Sequence, residues 1–148
     1  MRILILYATY SSGTKTASEV VAQLLTEYDN AVTLKQVKSA IPQEINDFDC
    51  IILASPSWWI DNKDGQPHDD FTSFMKKCEG LLFENKRFAI FGLGDSSYAR
   101  FCGAVDYLTQ FISQHKGILI SDPLRIDGYY FDEEGNNIRL KEWVNKLV

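Results

Sequence analysis

The sequence predicts an α/β fold: a doubly wound sheet of five parallel strands in the order 2-1-3-4-5, with helices on both faces. Three observations carry that prediction. Short apolar runs alternate along the chain with stretches whose apolar residues recur at helical spacing. The strongest of those runs are continuous rather than alternating, as strands covered on both faces are. The least ordinary loops follow the first, third and fourth strands, whose carboxyl ends border the crevice where such sheets bind ligands.

Taken in order, RILILY (2–7) reads as the first, buried strand, ending at ATYSSG. Ala17, Val20, Val21, Leu24, Leu25 and Tyr28 then mark one face of a helix. AVTLKQV (31–37) is more polar, as an edge strand is, whereas DCIILAS (49–55) is apolar throughout and fits a central parallel strand. Phe71, Phe74, Met75 and Cys78 predict a second helix, KRFAIFG (86–92) a fourth strand, and Ala104, Leu108, Phe111 and Ile112 a third helix. GILISDPLRI (117–126) supplies the fifth strand, interrupted near Pro123 because proline cannot donate to the ladder. Leu140, Trp143, Val144 and Leu147 form the closing helix, with Glu133 and Glu134 as loop residues before it.

Composition narrows the function classes. At 148 residues, 45% hydrophobic and 24% charged, residues 1–148 read as one globular domain with no repeat or linker. A formal net charge of -5 argues against a nucleic-acid backbone or an anionic membrane surface and favours partners with basic patches. Cys50, Cys78 and Cys102 form no C-x-x-C spacing, so reduced thiols in a cytoplasmic protein are expected. His68 and His115 lie far apart, and no metal site is expected. The first apolar run is too short to span a bilayer and lacks a cleavage pattern.

Chemistry concentrates in the three loops. Thr9, Tyr10, Ser11, Ser12, Gly13 and Thr14 bring hydroxyls and backbone N–H groups to a helix N-terminus, a setting for a phosphate or, alternatively, a cluster of helix caps. No GxGxxG or Walker-type loop occurs there. Pro56, Ser57, Trp58 and Trp59 place two indoles directly after a strand, suited equally to stacking on a planar ligand and to anchoring a protein interface. In the third loop, Gly92 and Gly94 would let the backbone approach a ligand, with Leu93 between them and Tyr98 as a second aromatic wall. A flat heterocycle with hydrogen-bonding edges and a phosphate tail, such as flavin mononucleotide (FMN), would use all three loops.

Most strongly in GDSSYARFCGAVD (94–106), then in LRIDG (124–128) and in FDCIILASPSWW (48–59), the chain resembles the short-chain flavodoxins over essentially its whole length. It lacks the long insertion in the last strand that marks the long-chain type. The resemblance implies a flavodoxin-like fold and a low-potential carrier that shuttles single electrons on non-covalent FMN between redox enzymes. It further implies a monomeric, cytoplasmic redox protein rather than an enzyme. The alternative is a flavodoxin-like NAD(P)H-dependent quinone or nitro reductase. By the same resemblance Thr9 to Thr14 hold the phosphate, Ser57 lies near the ribityl chain, and Trp58 and Tyr98 stack on the inner and outer faces of the flavin ring. The alternative register, with Trp59 stacking, remains open. Backbone groups from Gly94 to Cys102, including Asp95, Arg100 and Phe101, would meet the pyrimidine edge.

Three departures stand out. Ser12 occupies a position that is usually Gly or Ala in the family. Trp59 follows the stacking Trp where a Gly carbonyl usually turns toward the half-reduced flavin, which implies weaker stabilisation of the semiquinone. Ala99-Arg100 replaces a common acid–aromatic pair. Asp61, Asp64, Asp69, Asp70, Asp95, Asp106 and Asp127 would supply a negative rim opposed by Arg100, for docking onto basic patches of a reductase or oxidoreductase. An acidic run also serves simply as a solvated face.

Overall fold

The computed structural model describes residues 1–148. Strand β1 (Arg2–Tyr7) leads into helix α1 (Gly13–Glu27), followed by β2 (Ala31–Gln36), β3 (Cys50–Ile60), β4 (Lys63–Pro67) and α2 (Asp69–Lys77). Then come β5 (Arg87–Gly94), α3 (Gly103–Gln114), β6 (Ile118–Leu119), β7 (Leu124–Asp127) and α4 (Glu133–Val144). The parallel strands run in the order β2-β1-β3-β5-β6, the doubly wound order expected from the sequence.

Side-chain alternation along each central strand explains the two-layer cover. Leu4 and Leu6, Ile51 and Leu53, and Phe88 and Ile90 face Phe71, Phe74 and Cys78 of the α2 region and Val105, Leu108, Phe111 and Ile112 of α3. Their neighbours Ile3 and Ile5, Ile52 and Ala54, and Ala89 and Phe91 face Ala17, Val21 and Leu25 of α1 and Leu140, Trp143 and Val144 of α4. Both faces are therefore dry, which is why these strands read as unbroken apolar runs.

The fifth strand breaks near Pro123 as expected: it is two short pieces, β6 and β7, both pairing with β5, with Ile120 to Pro123 in the break. The structure differs from the sequence expectation in two places. Residues read as an acidic loop instead form β4, antiparallel to an extension of β3. Asp61 and Asn62, with φ of 51° and 60°, make the two-residue turn between them, the positive-φ turn that suits strand twist. Glu133 and Glu134 are not loop residues: they occupy the first turn of α4, where the helix dipole favours acids, behind Asp132, whose side chain accepts from the Gly135 N–H. Asp69 and Asp70 stand likewise in the first turn of α2.

All three cysteines are free and buried. Burial pushes the Cys50 thiol up to about 11 and those of Cys78 and Cys102 up to about 12, so each stays protonated at neutral pH.

Phe88 is fully buried on the central strand β5, its ring centroid 6.0 Å from that of Phe83. Phe88→Ala is expected to lower the unfolding free energy by about 3–5 kcal/mol in urea titration. Phe131→Ala, at a side chain 95% exposed, should stay within about 0.5 kcal/mol of the parent.

Candidate functional site

The carboxyl ends of β1, β3 and β5 open onto a cavity of about 470 Å³. At one end stands the N-terminus of α1. Ser12 precedes the helix in a left-handed conformation, with φ 65° and ψ -7°; no side chain caps the first turn and no acid occupies it. The backbone N–H groups of Ser11 to Lys15 donate to no acceptor within the protein. Thr9 Oγ1 is buried without a hydrogen-bond partner, and Thr14, in the first turn of α1, is buried too. Unpaired donors, the positive end of a helix and an orphaned buried hydroxyl together make an anion cradle. The nearest cation in the sequence, Lys15, is drawn to Glu19 at 3.3 Å.

Tyr10 ties this cradle to the hairpin. Its ring stacks on His68 with centroids 3.9 Å apart and meets Trp58 edge-on at 5.2 Å, and its hydroxyl accepts from the Asp69 N–H at 3.3 Å. Burial raises the Tyr10 phenol above its ordinary range, so it remains a neutral hydroxyl. His68 Nδ1 accepts from the Asp70 N–H at 3.0 Å, and the His68 N–H donates to the buried Ser55 Oγ at 3.1 Å. Trp58 and Tyr98 both line the cavity while each remains about half exposed. Trp59 sits in the irregular stretch between the Trp58–Gln66 and Ile60–Lys63 pairs and is also exposed.

The third wall, Gly94 to Cys102, is held mostly by carboxylates. Asp127 accepts from the Ser96 N–H at 2.9 Å and from its hydroxyl at 2.6 Å. Ser97 gives Asp95 both its hydroxyl and its N–H, which holds that carboxyl below the usual range. Asp64 reaches across from the hairpin: one oxygen accepts from the Gly65 N–H at 2.7 Å, the other from the Arg100 N–H at 2.8 Å. Ser57 Oγ accepts from the Ala104 N–H at 2.9 Å and so binds the end of β3 to the start of α3.

Several expectations change. A Cβ on Gly92 would come within 2.6 Å of Val105 Cγ2, and one on Gly94 within 2.9 Å of Cys102 Sγ. Both glycines are set by the packing of β5 against α3; Gly94 also lines the cavity, whereas Gly92 does not. Cys102 stands left-handed before α3, with φ 51°, and its thiol donates weakly to the Gly92 and Ile126 carbonyls at 3.5 and 3.6 Å. The Arg100 guanidinium lies 5.5 Å over the Tyr107 ring. Asp106 is paired with Arg125 at 2.6 Å, so its charge is offset within the supposed rim. Asp64, Asp95 and Asp127 likewise act first as anchors of loop backbone.

Of the residues that the sequence assigned to the ligand by name in the three loops, all but Ser12, Gly92 and Phe101 line the cavity. The Ser12 hydroxyl turns toward Tyr130 instead, and Phe101 packs partly buried against the core beneath α3. Asp64 adds itself to the lining; its sequence signal was only its place in an acidic run. Tyr130, which contacts the cradle from 118 residues away, carries no local signal.

A family model described as flavodoxin matches residues 5–136. The chain is 32% identical over 126 residues to a flavodoxin of Maridesulfovibrio salexigens, a match spanning 84% of this chain and 85% of that one. Among solved structures it resembles oxidised flavodoxin 2 from Bacillus cereus, with a TM-score of 0.89 at 25% identity over 99% of this chain and 97% of that one. It also resembles a Fusobacterium nucleatum flavodoxin bound to flavin mononucleotide, with a TM-score of 0.84 at 22% identity over 99% and 96% of the two chains. With its matching model, relatives and fold, the chain belongs to the flavodoxin family.

Proposed function

We propose that the protein is an electron carrier that binds FMN non-covalently in this cavity and passes single electrons between redox enzymes. The observation that carries the reading is the pairing of an uncapped helix N-terminus and an unsatisfied Thr9 hydroxyl at one end with two half-exposed aromatic rings at the other. An anion with a flat ring system on a short tether matches both ends at once. The family assignment and the FMN bound by the Fusobacterium relative support the same ligand.

Bound there, FMN would supply the one-electron chemistry that no side chain of this protein offers. The chain's own contribution is to bind and orient. Thr9, Thr14 and the N–H groups of Ser11 to Lys15 would hold the phosphate. Trp58 and Tyr98 would cover the two faces of the ring and keep water from them. Asp64, Asp95 and Asp127 would fix the loop whose backbone meets its polar edge. Carboxylates around that edge disfavour added negative charge on the ligand. Over the outer face of the ring, Tyr98 would cover the side from which a nicotinamide approaches, which supports a carrier over an NAD(P)H reductase.

The partners fit as redox enzymes whose basic patches meet the acidic side around Asp61, Asp69 and Asp70, an attraction that steers encounter and weakens with salt. A short-chain, monomeric and cytoplasmic protein completes the reading, in keeping with three protonated, unpaired thiols.

Purified protein supplied with FMN should show a bound-flavin absorption spectrum and should not oxidise NAD(P)H unaided; absence of binding, or steady NAD(P)H turnover, contradicts the proposal. Trp58→Ala and Tyr98→Ala should each raise the FMN dissociation constant, the loss of an aromatic contact being worth about 0.5–1.5 kcal/mol, or roughly two- to tenfold. Trp59 resists the positive φ that a turned peptide at residues 58–59 requires. Trp59→Gly is therefore expected to widen the gap between the first and second one-electron potentials by more than about 30 mV, about 0.7 kcal/mol. An unchanged gap in an anaerobic titration would show that this peptide does not set it.

A further inference from the structure

The side chain of the left-handed Ser12 makes no capping hydrogen bond to α1. Its Oγ lies 3.1 Å from Tyr130 Oη, in the turn between β7 and α4. Tyr130 Oη lies in turn 2.9 Å from Thr16 Oγ1, which donates to the Ser12 carbonyl at 3.0 Å. Each hydroxyl has one proton to give. Thr16 gives its proton to the carbonyl, so Tyr130 donates to Thr16 and Ser12 donates to Tyr130. The three hydroxyls close a ring that leaves residue 12 through its side chain and returns through its backbone oxygen. The same oxygen accepts the Thr16 N–H at 2.9 Å.

Such a ring fixes the Ser12 side chain relative to its own peptide, and bonds running head to tail polarise one another. Its far corner is rigid. The Tyr129 hydroxyl donates to Asn137 Oδ1 at 2.7 Å, Asn136 Nδ2 donates to the Tyr129 carbonyl at 3.3 Å, and the Gly128 N–H donates to the Gly94 carbonyl at 2.9 Å. The Tyr130 ring also stands beside Gly13, where an added Cβ would meet Cε2 at 3.6 Å.

We propose that Tyr130 is a positioning residue for the anion cradle. By holding Ser12 left-handed it keeps the N–H groups of Ser11 to Lys15 pointed outward together, and so sets the preference for a phosphorylated flavin over its unphosphorylated form. The inference rests on the FMN reading above. It assigns a role to the Ser12 position that glycine, with its free access to positive φ, would not need.

The test compares the dissociation constants of FMN and riboflavin, read by flavin fluorescence, for the wild-type protein, Tyr130→Phe and Thr16→Val. Each substitution opens the ring with little change in shape. Each is expected to weaken FMN by about tenfold while riboflavin stays within about twofold. Equal weakening of both ligands, or no change in either, overturns the inference even while FMN binding by the wild type stands. A wild-type protein that binds neither flavin removes the cofactor reading itself, and this inference with it. Thr16→Val keeps the question answerable should Tyr130→Phe not fold.

Discussion

The contact between the end of β5 and the start of α3 is the constraint on which the site depends. Gly92 and Gly94 leave no room for a Cβ because Val105 and Cys102 already occupy that space. The Cys102 thiol is buried against the Gly92 and Ile126 carbonyls, and Ser57 Oγ accepts the Ala104 N–H from the end of β3. The ends of β3, β5 and β7 are thus keyed to one helix N-terminus. Any bulk at either glycine would push α3 away and part the walls of the cavity.

On that frame the acidic residues do more than present charge. Asp64 links the β3–β4 hairpin to the Arg100 peptide, Asp127 holds Ser96, and Asp95 folds its own loop around Ser97. A loop held by carboxylates at its Ser96, Ser97 and Arg100 N–H groups loses little freedom when a ligand meets the rest of its backbone, which favours tight binding without large contact area. The same carboxylates leave negative potential around the cavity. Structure and electrostatics are therefore served by one set of side chains, and a substitution at Asp64 would alter both.

What was legible in the sequence follows from what is local. The strand runs, the apolar helix faces and the break at Pro123 are properties of consecutive residues, and each appears where its spacing placed it. The cavity residues Thr9, Trp58 and Tyr98 were legible because strand ends in a doubly wound sheet converge. The β3–β4 hairpin was missed because its second strand, KDGQP, is polar and lacks the alternation of a half-buried strand, although Asp61-Asn62 is an ordinary turn pair. The roles of Gly92, Gly94 and Tyr130 depend on partners distant in sequence, which no local pattern encodes.

A crystal structure of the protein with FMN tests most directly whether one cavity holds a phosphate at the α1 N-terminus and a flat ring between Trp58 and Tyr98. Phosphate oxygens are expected within hydrogen-bond distance of Thr9 Oγ1 and the N–H groups of Ser11 to Lys15, with the flavin ring between the two aromatic side chains. A flavin seated elsewhere, or a phosphate left in solvent, would contradict this placement.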